Sequence, residues 1–299
     1  MSASLPAEER AAIAAARPAT RTSAQLFWRR LRRNRLALVG LAIVAGLIVV
    51  ALLAPWLAPR DPSAQTLEDK RQPPSRAYLL GADEFGRDIL SRLIYGSRVA
   101  LLAGGVSVLI ALALGTAIGT AAAYAGGLMD QVAMRAMDVL LAFPYLLLAI
   151  VIISALGPGL LNTILAVGIW ATPGFARVIR GAVLSIKTQE YVTAARAIGS
   201  GTARIIGRHI LPNCISVVIV YSALYMANAI LLEAALSFLG LGVQPPTPSW
   251  GLMVSTGRDF LLVAPHIATF PGLAIALTVL GFNLLGDGLR DALDPRSMP

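Results

Sequence analysis

Residues 189–213 read QEYVTAARAIGSGTARIIGRHILPN. Glu190, Arg196, Arg204, Arg208 and His209 crowd this short stretch. Uncharged runs flank it: 139–176 before and 210–232 after. About 20 apolar residues cross the hydrocarbon core of a bilayer. A basic, helix-forming island between two such runs belongs at a membrane surface, and the chain around it reads as a set of spanning helices.

Composition agrees. Of 299 residues, 57% are hydrophobic and 14% charged, against about 45–50% and about 25% in ordinary soluble domains. The apolar excess falls in long uncharged runs, which marks an all-α polytopic membrane protein. Net charge is +9. No basic patch with interleaved aromatics appears, so the basic residues are assigned to the edges of a lipid bilayer and not to nucleic acid. Cys214 is the single cysteine, so no internal disulfide is available.

Outward from the island, the chain divides as follows. Residues 1–35 form a tail ending in a boundary where Arg29, Arg30, Arg32, Arg33 and Arg35 lie within seven residues. The run 36–58 is the first transmembrane helix, too long for the apolar region of a cleaved signal peptide. Residues 59–97 form an extracytoplasmic loop, 98–290 a five-helix core, and 291–299 a C-terminal tail. Within the core, 99–129 holds one span, with Gly115 and Gly119 in GxxxG spacing suited to close helix contact. The 38 residues of 139–176 suit two spans, 137–156 and 160–177, joined by the turn signal Gly157-Pro158-Gly159. The fifth span is 210–232 and the sixth about 266–286. Between them, 234–257 reads as a loop, because Pro245, Pro246 and Pro248 break helices. Asp138 and Glu233 are placed at span boundaries. With six spans and both termini in the cytoplasm, 17 of the 25 basic residues fall inside, which is the favoured orientation. The segment 178–212 is then cytoplasmic.

Several chemistries are excluded. Lys70 and Lys187 are the only lysines, and neither follows a glycine, so no phosphate-binding GxxxxGK[ST] exists. His209 and His266 are far apart without a ligand cluster, and no GxSxG surrounds a serine. Hence no catalytic, metal or cofactor residue is assigned, and the chain is not read as an enzyme.

Within the island, 190–198 reads as a short helix with Tyr191, Val192, Ala195 and Ile198 on one face. Gly199 suits the left-handed position just past a helix end. A second helix covers 202–210, and Pro212 opens the next span. The short helix fits two surfaces equally well, a groove on a partner protein and a bed of lipid headgroups.

Here the sequence resembles the permease subunits of ATP-binding-cassette (ABC) importers. Their cytoplasmic loop carries an EAA element, a glycine four residues later, and a distal I-x-L-P. Thr193-Ala194-Ala195, Gly199 and His209-Ile210-Leu211-Pro212 occupy those places. Thr193 departs from Glu, leaving Glu190 as the nearest acid, and His209 departs from Ile. LLGADEFGRDILSRLIYGSRVAL (79–101), LSFLGLGVQPPTPSWG (236–251) and GFNLLGDGLRDALDPR (281–296) also look like the C-type subunit of the dipeptide/oligopeptide/nickel branch.

The resemblance implies the type I importer permease fold and a multi-pass protein of the bacterial cytoplasmic (inner) membrane. It implies a second, similar permease, two P-loop ATPases that bind the ATP and Mg, and an extracytoplasmic solute-binding protein. It implies a coupling helix whose ATPase contacts come from Glu190, Tyr191, Thr193, Ala194, Ala195, Gly199, Arg204, His209 and Pro212. The expected cargo is a di- or oligopeptide; nickel or glutathione on the same machine is the alternative. A self-sufficient channel or secondary transporter is a different class, against which the charge-poor spans count.

Overall fold

A computed structural model describes residues 23–293. The tail residues 1–22 and 294–299, and any expectation placed on them, lie outside the described residues. Helix α1, Ser23–Arg33, turns at Asn34 into α2, Arg35–Leu52. Asn34 is extended, and its side chain accepts a hydrogen bond from the Ala37 N–H, so it caps α2. The first span is shorter than expected. A separate turn, Ala54–Leu57, follows it with Pro55 in its first positions, where the missing N–H costs nothing.

The next helix, α3, runs for 37 residues, Ile89–Ala125. Its first nine residues were expected in the 59–97 loop. The correction comes from its cap: Asp88 accepts from the Ser91 N–H at 2.7 Å. Charges early in the helix are absorbed by protein. The buried Arg92 donates to the Pro62 carbonyl at 2.9 Å, and Arg98 donates to the Ala51 carbonyl at 2.7 Å.

The expected helix 137–156 is two helices, α4 (Gly127–Ala142) and α5 (Tyr145–Leu156), bent by 94°. Pro144 is the cause. It removes a helical N–H and pushes the residue before it out of the helical region; Phe143 is extended at φ −81°, ψ 133°. The turn at 157–159 is as expected, with both glycines at positive φ. Helix α6, Leu160–Ile186, follows and runs parallel to α3. Ser107 on α3 donates to the Ile164 carbonyl, while Gly115 and Gly119 meet Phe175 and Ala176 further along.

After α7 (Glu190–Ala197), a continuous helix α8 covers Thr202–Phe238. Residues 239–249 are irregular, but Trp250–Gly257 forms α9 inside the expected loop. The prolines end just before it, and Trp250 is anchored by its indole N–H on the Leu93 carbonyl. The last helix, α10, is His266–Leu293.

Six spans were expected. Among the described residues, α2, α3, α8 and α10 are long and apolar enough to cross a membrane, and the bent α4–α5 pair makes a fifth if it is one span. Helix α6 has the length but carries Asn162, Thr163, Thr172, Pro173, Arg177 and Arg180, and falls short in hydropathy.

Hydrogen bonds sort the ends. Asn34 donates to Asp291, and Lys187 donates to the Ala123 carbonyl. This gathers the start of α2, the ends of α3, α6 and α10, and α7 at one end of the molecule. At the other end His266 reaches the Ala82 carbonyl, and the Gly159 N–H donates to the Leu241 carbonyl.

Candidate functional site

The expected loop 178–212 is mostly helical. Helix α6 continues to Ile186, α7 follows after three residues, and α8 begins at Thr202. Helix α7 ends in a doubly bonded cap. The Ser200 N–H donates to the Ala195 carbonyl and the Gly199 N–H to the Arg196 carbonyl, the arrangement that requires a left-handed residue at the exit. Gly199 supplies it at φ +79°, and a side chain there would meet nothing within 4 Å. Its role is therefore conformational.

The apolar face of α7 is split. Val192 is buried in a cluster with Ile179, Val183, Ile205, Ile210 and Cys214, and Ala195, one turn on, is buried as well. Tyr191 and Ile198, expected beside them, are 45% and 83% exposed. On a helix turning about 100° per residue, these four positions span an arc of about 120°. One edge of that arc holds the helix to the bundle, and the other looks outward. Ala195 is thus a buried anchor and not an exposed contact, which corrects its expected place.

Glu190, Thr193 and Ala194 are exposed. The Thr193 hydroxyl turns back to the Gln189 carbonyl at 3.3 Å. Tyr191 lies beside His209, with ring centroids 6.4 Å apart. Arg204 is exposed in the first turn of α8. Pro212 is exposed and shapes a wide turn: residues Ile206–Ile210 form a π-helical segment. The proline ring and missing N–H disfavour an α-turn onto Arg208, and the ladder widens so that the Leu211 N–H reaches the Ile206 carbonyl. The site therefore brings Glu190, Tyr191, Thr193, Ala194 and His209 onto one surface. It includes Ile198, which the sequence placed on the apolar face of this helix.

Two acids singled out in the sequence differ in kind. Asp138 is exposed and pairs with Arg177, as a boundary residue would. One turn further along α6, Arg180 grips Asp130 with two bonds of 2.6 Å, so α4 is held to α6 by two ion pairs. Glu233 is not at a boundary. It is buried, and one of its oxygens accepts from Ser237 at 2.8 Å and Ser249 at 3.1 Å. This ties the irregular segment 239–249 to α8.

The far end carries a second charged cluster. Arg87 binds Asp83 at 2.6 Å and Glu84 at 3.0 Å, and Arg92 approaches Asp83 at 3.4 Å. Burial, then the neighbouring Asp83, push the Glu84 carboxyl above its ordinary value.

Comparison with known proteins places this geometry. The family model described as binding-protein-dependent transport system inner membrane component matches residues 111–298. The model described as N-terminal TM domain of oligopeptide transport permease C matches residues 22–74. A glutathione transport system permease protein GsiD of Escherichia coli (strain UTI89 / UPEC) is 46% identical over 277 residues, covering 92% of this chain and 91% of the relative. A di/tripeptide transport system permease protein DppC of Pseudomonas aeruginosa (strain UCBPP-PA14) is 47% identical over 276 residues, covering 90% and 91%. Among solved structures, an inward-facing MetNI methionine ABC transporter chain aligns with TM-score 0.55 at 17% identity, covering 69% of this chain and 98% of its own. That likeness is one of fold.

Proposed function

The chain belongs to the family of binding-protein-dependent transport system inner membrane components, and we propose that it forms half of the translocation path of an ABC importer for di- or oligopeptides. The observation that carries this reading is the chain-long similarity to glutathione and di/tripeptide permeases. The end that gathers the start of α2, α7 and the end of α10 is assigned to the cytoplasm, and the end holding residues 58–88 to the outside.

On this reading α7 is the coupling helix. Its exposed edge, Tyr191, Thr193, Ala194 and Ile198, enters a groove on a separate ATPase subunit, while the buried Val192 and Ala195 fix it to the permease. The rigid cap at Gly199 and the bond from Lys187 to Ala123 pass a displacement of α7 into α3, α6 and α8. ATP and Mg are bound by the two ATPases. Reversing a 1:99 population of conformers takes about 5.5 kcal/mol of preferential binding, and this must come from nucleotide on those partners. A second permease completes the path, and an extracytoplasmic binding protein delivers the cargo.

The test is reconstitution in proteoliposomes with the second permease, the ATPases and the binding protein. Labelled dipeptide uptake that needs ATP and binding protein is expected. Uptake by this chain alone would overturn the assignment. Glutathione is the second cargo to assay, because GsiD relatives are named for it.

A further inference from the structure

One stripe of α8 is only partly covered over the depth of a bilayer: Val217, Asn228 and Leu231 are exposed, and Tyr221, Leu224 and Ala235 are half-buried. Val217, Tyr221, Leu224, Asn228, Leu231 and Ala235 follow one another at steps of four, three, four, three and four residues, so they share one face. From first to last the helix rises about 27 Å, near the ~30 Å of the hydrocarbon core. Two cavities open on this stripe. One, of about 480 Å³, is bounded by Val217, Tyr221 and Leu224 with Arg290 and Leu293 of α10. The other, of about 250 Å³, is bounded by Asn228, Leu231 and Ala235 with Tyr145 and Trp170.

The stripe is badly suited to lipid. Asn228 is exposed midway along the apolar part of α8, and its amide N–H reaches only the Leu224 carbonyl of its own helix, at 3.2 Å. A side-chain amide facing hydrocarbon leaves its remaining polar atoms without partners, which disfavours contact with lipid. The aromatic rings beside it carry polar edges as well. Tyr145, Trp170 and Tyr225 follow at 5.8 Å between successive centroids, and Tyr221 adjoins Tyr225 at 4.7 Å. Rings of this kind favour places where an apolar body and a wet edge are both needed.

We propose that this stripe is the chain's wall of the translocation path. The smaller cavity takes one side chain of a passing peptide against Tyr145 and Trp170, and the Asn228 amide pairs with the peptide backbone. Arg290, at the opposite end of the stripe, meets the peptide carboxylate at the cytoplasmic mouth. A cavity of about 250 Å³ accommodates a single side chain and not a whole peptide, which suits passage of mixed sequences. The inference rests on the peptide-importer reading above.

The test uses the full complex in proteoliposomes, with Tyr221→Cys, Asn228→Cys and Leu231→Cys made one at a time, and Leu109→Cys on α3, exposed elsewhere, as control. Cys214 is buried, so background labelling is read from the parent chain. Each variant is first shown to assemble with the second permease and the ATPases by co-purification. A charged, water-soluble methanethiosulfonate reagent is expected to modify positions 228 and 231 at least tenfold faster than position 109. Saturating Ala-Ala or Phe-Ala delivered with ATP should slow it severalfold. Modification no faster than at position 109 overturns the proposal and leaves the importer reading intact. The same holds if position 228 is shielded from reagent in every nucleotide state and crosslinks to the second permease. Fast modification that peptides do not slow supports the path and overturns peptide as the cargo.

Discussion

Gly119 of α3 lies against the backbone of Ala176 on α6: a β-carbon on Gly119 would come within 2.4 Å of the Ala176 carbonyl oxygen. One turn earlier, a β-carbon on Gly115 would come within 2.4 Å of Phe175 Cβ. Helices in lipid associate through such close packing, because the surrounding tails are as apolar as the helices. Gly119→Val should therefore destabilise the fold by about 1–3 kcal/mol, the range for overpacking, seen as earlier melting of the detergent-solubilised protein. Gly181→Val, on α6 and with nothing within 4 Å of the added β-carbon, should melt much closer to the parent. Equal melting of the two variants would show that the glycine seam carries no packing.

The split face of α7 separates two kinds of substitution. Ala195→Asp places a charge at a buried position on the bundle side of α7. It should lower the melting temperature and reduce transport through loss of fold. Ile198→Asp changes a side chain that is 83% exposed. It should leave melting unchanged but weaken co-purification with the ATPase at least tenfold. Gly199→Val forces a branched residue into a left-handed conformation, at about 1–2 kcal/mol, and should reduce binding-protein-stimulated ATPase activity without blocking membrane insertion. Normal stimulation in both Ile198→Asp and Gly199→Val would remove α7 from the coupling role.

Much of this was legible in the sequence because membrane helices leave long uncharged runs, and turns leave glycine. The glycine turn at 157–159, the left-handed Gly199 and the Gly115/Gly119 contact follow from residue type at the right spacing. What escaped has local causes. Pro144 sits inside an otherwise apolar run, so hydropathy passes over a 94° bend. The start of α3 is set by Asp88 as a cap, within a segment whose charges suggested a loop. Helix α9 is hidden behind three prolines. The buried edge of α7 was invisible because periodicity finds an apolar arc but not which side of it the bundle covers. Glu233 was misplaced for the same reason: its partners Ser237 and Ser249 are supplied by a fold-back that a linear reading does not contain.

That fold-back makes Glu233 a testable anchor. Its carboxyl accepts from two hydroxyls, one of them on the residue preceding α9. Glu233→Leu removes the acceptor and leaves the buried Ser237 and Ser249 hydroxyls without it, a loss of about 1–3 kcal/mol. Glu233→Gln keeps an acceptor oxygen and should lose less. Hydrogen exchange of residues 239–249 should quicken strongly in the Leu variant, weakly in the Gln variant, and in Ser249→Ala to an intermediate degree. Unchanged exchange in all three would mean that the segment is held by its other contacts, such as the Gly159 N–H on the Leu241 carbonyl.

The acidic cluster outside the spans predicts a pH dependence. Burial, and then the negative charge of Asp83, raise the Glu84 carboxyl above its ordinary value of 4.5. One carboxyl oxygen receives Arg87 at 3.0 Å, while the other is buried without a hydrogen-bond partner. A raised carboxyl binds its proton more tightly in the folded state than in the unfolded one. In the interval between 4.5 and the raised value, folding therefore takes up a proton, and stability falls as pH rises through it. Glu84→Gln is isosteric and does not titrate. The variant and the parent should differ in melting temperature by a constant amount below pH 4.5, and above it the variant should gain on the parent until the Glu84 carboxyl is fully ionised. Thermal melts of the two proteins in matched detergent, from pH 4 to pH 8, provide the measurement. A difference independent of pH would mean that Arg87 and Arg92 compensate the Glu84 charge in full.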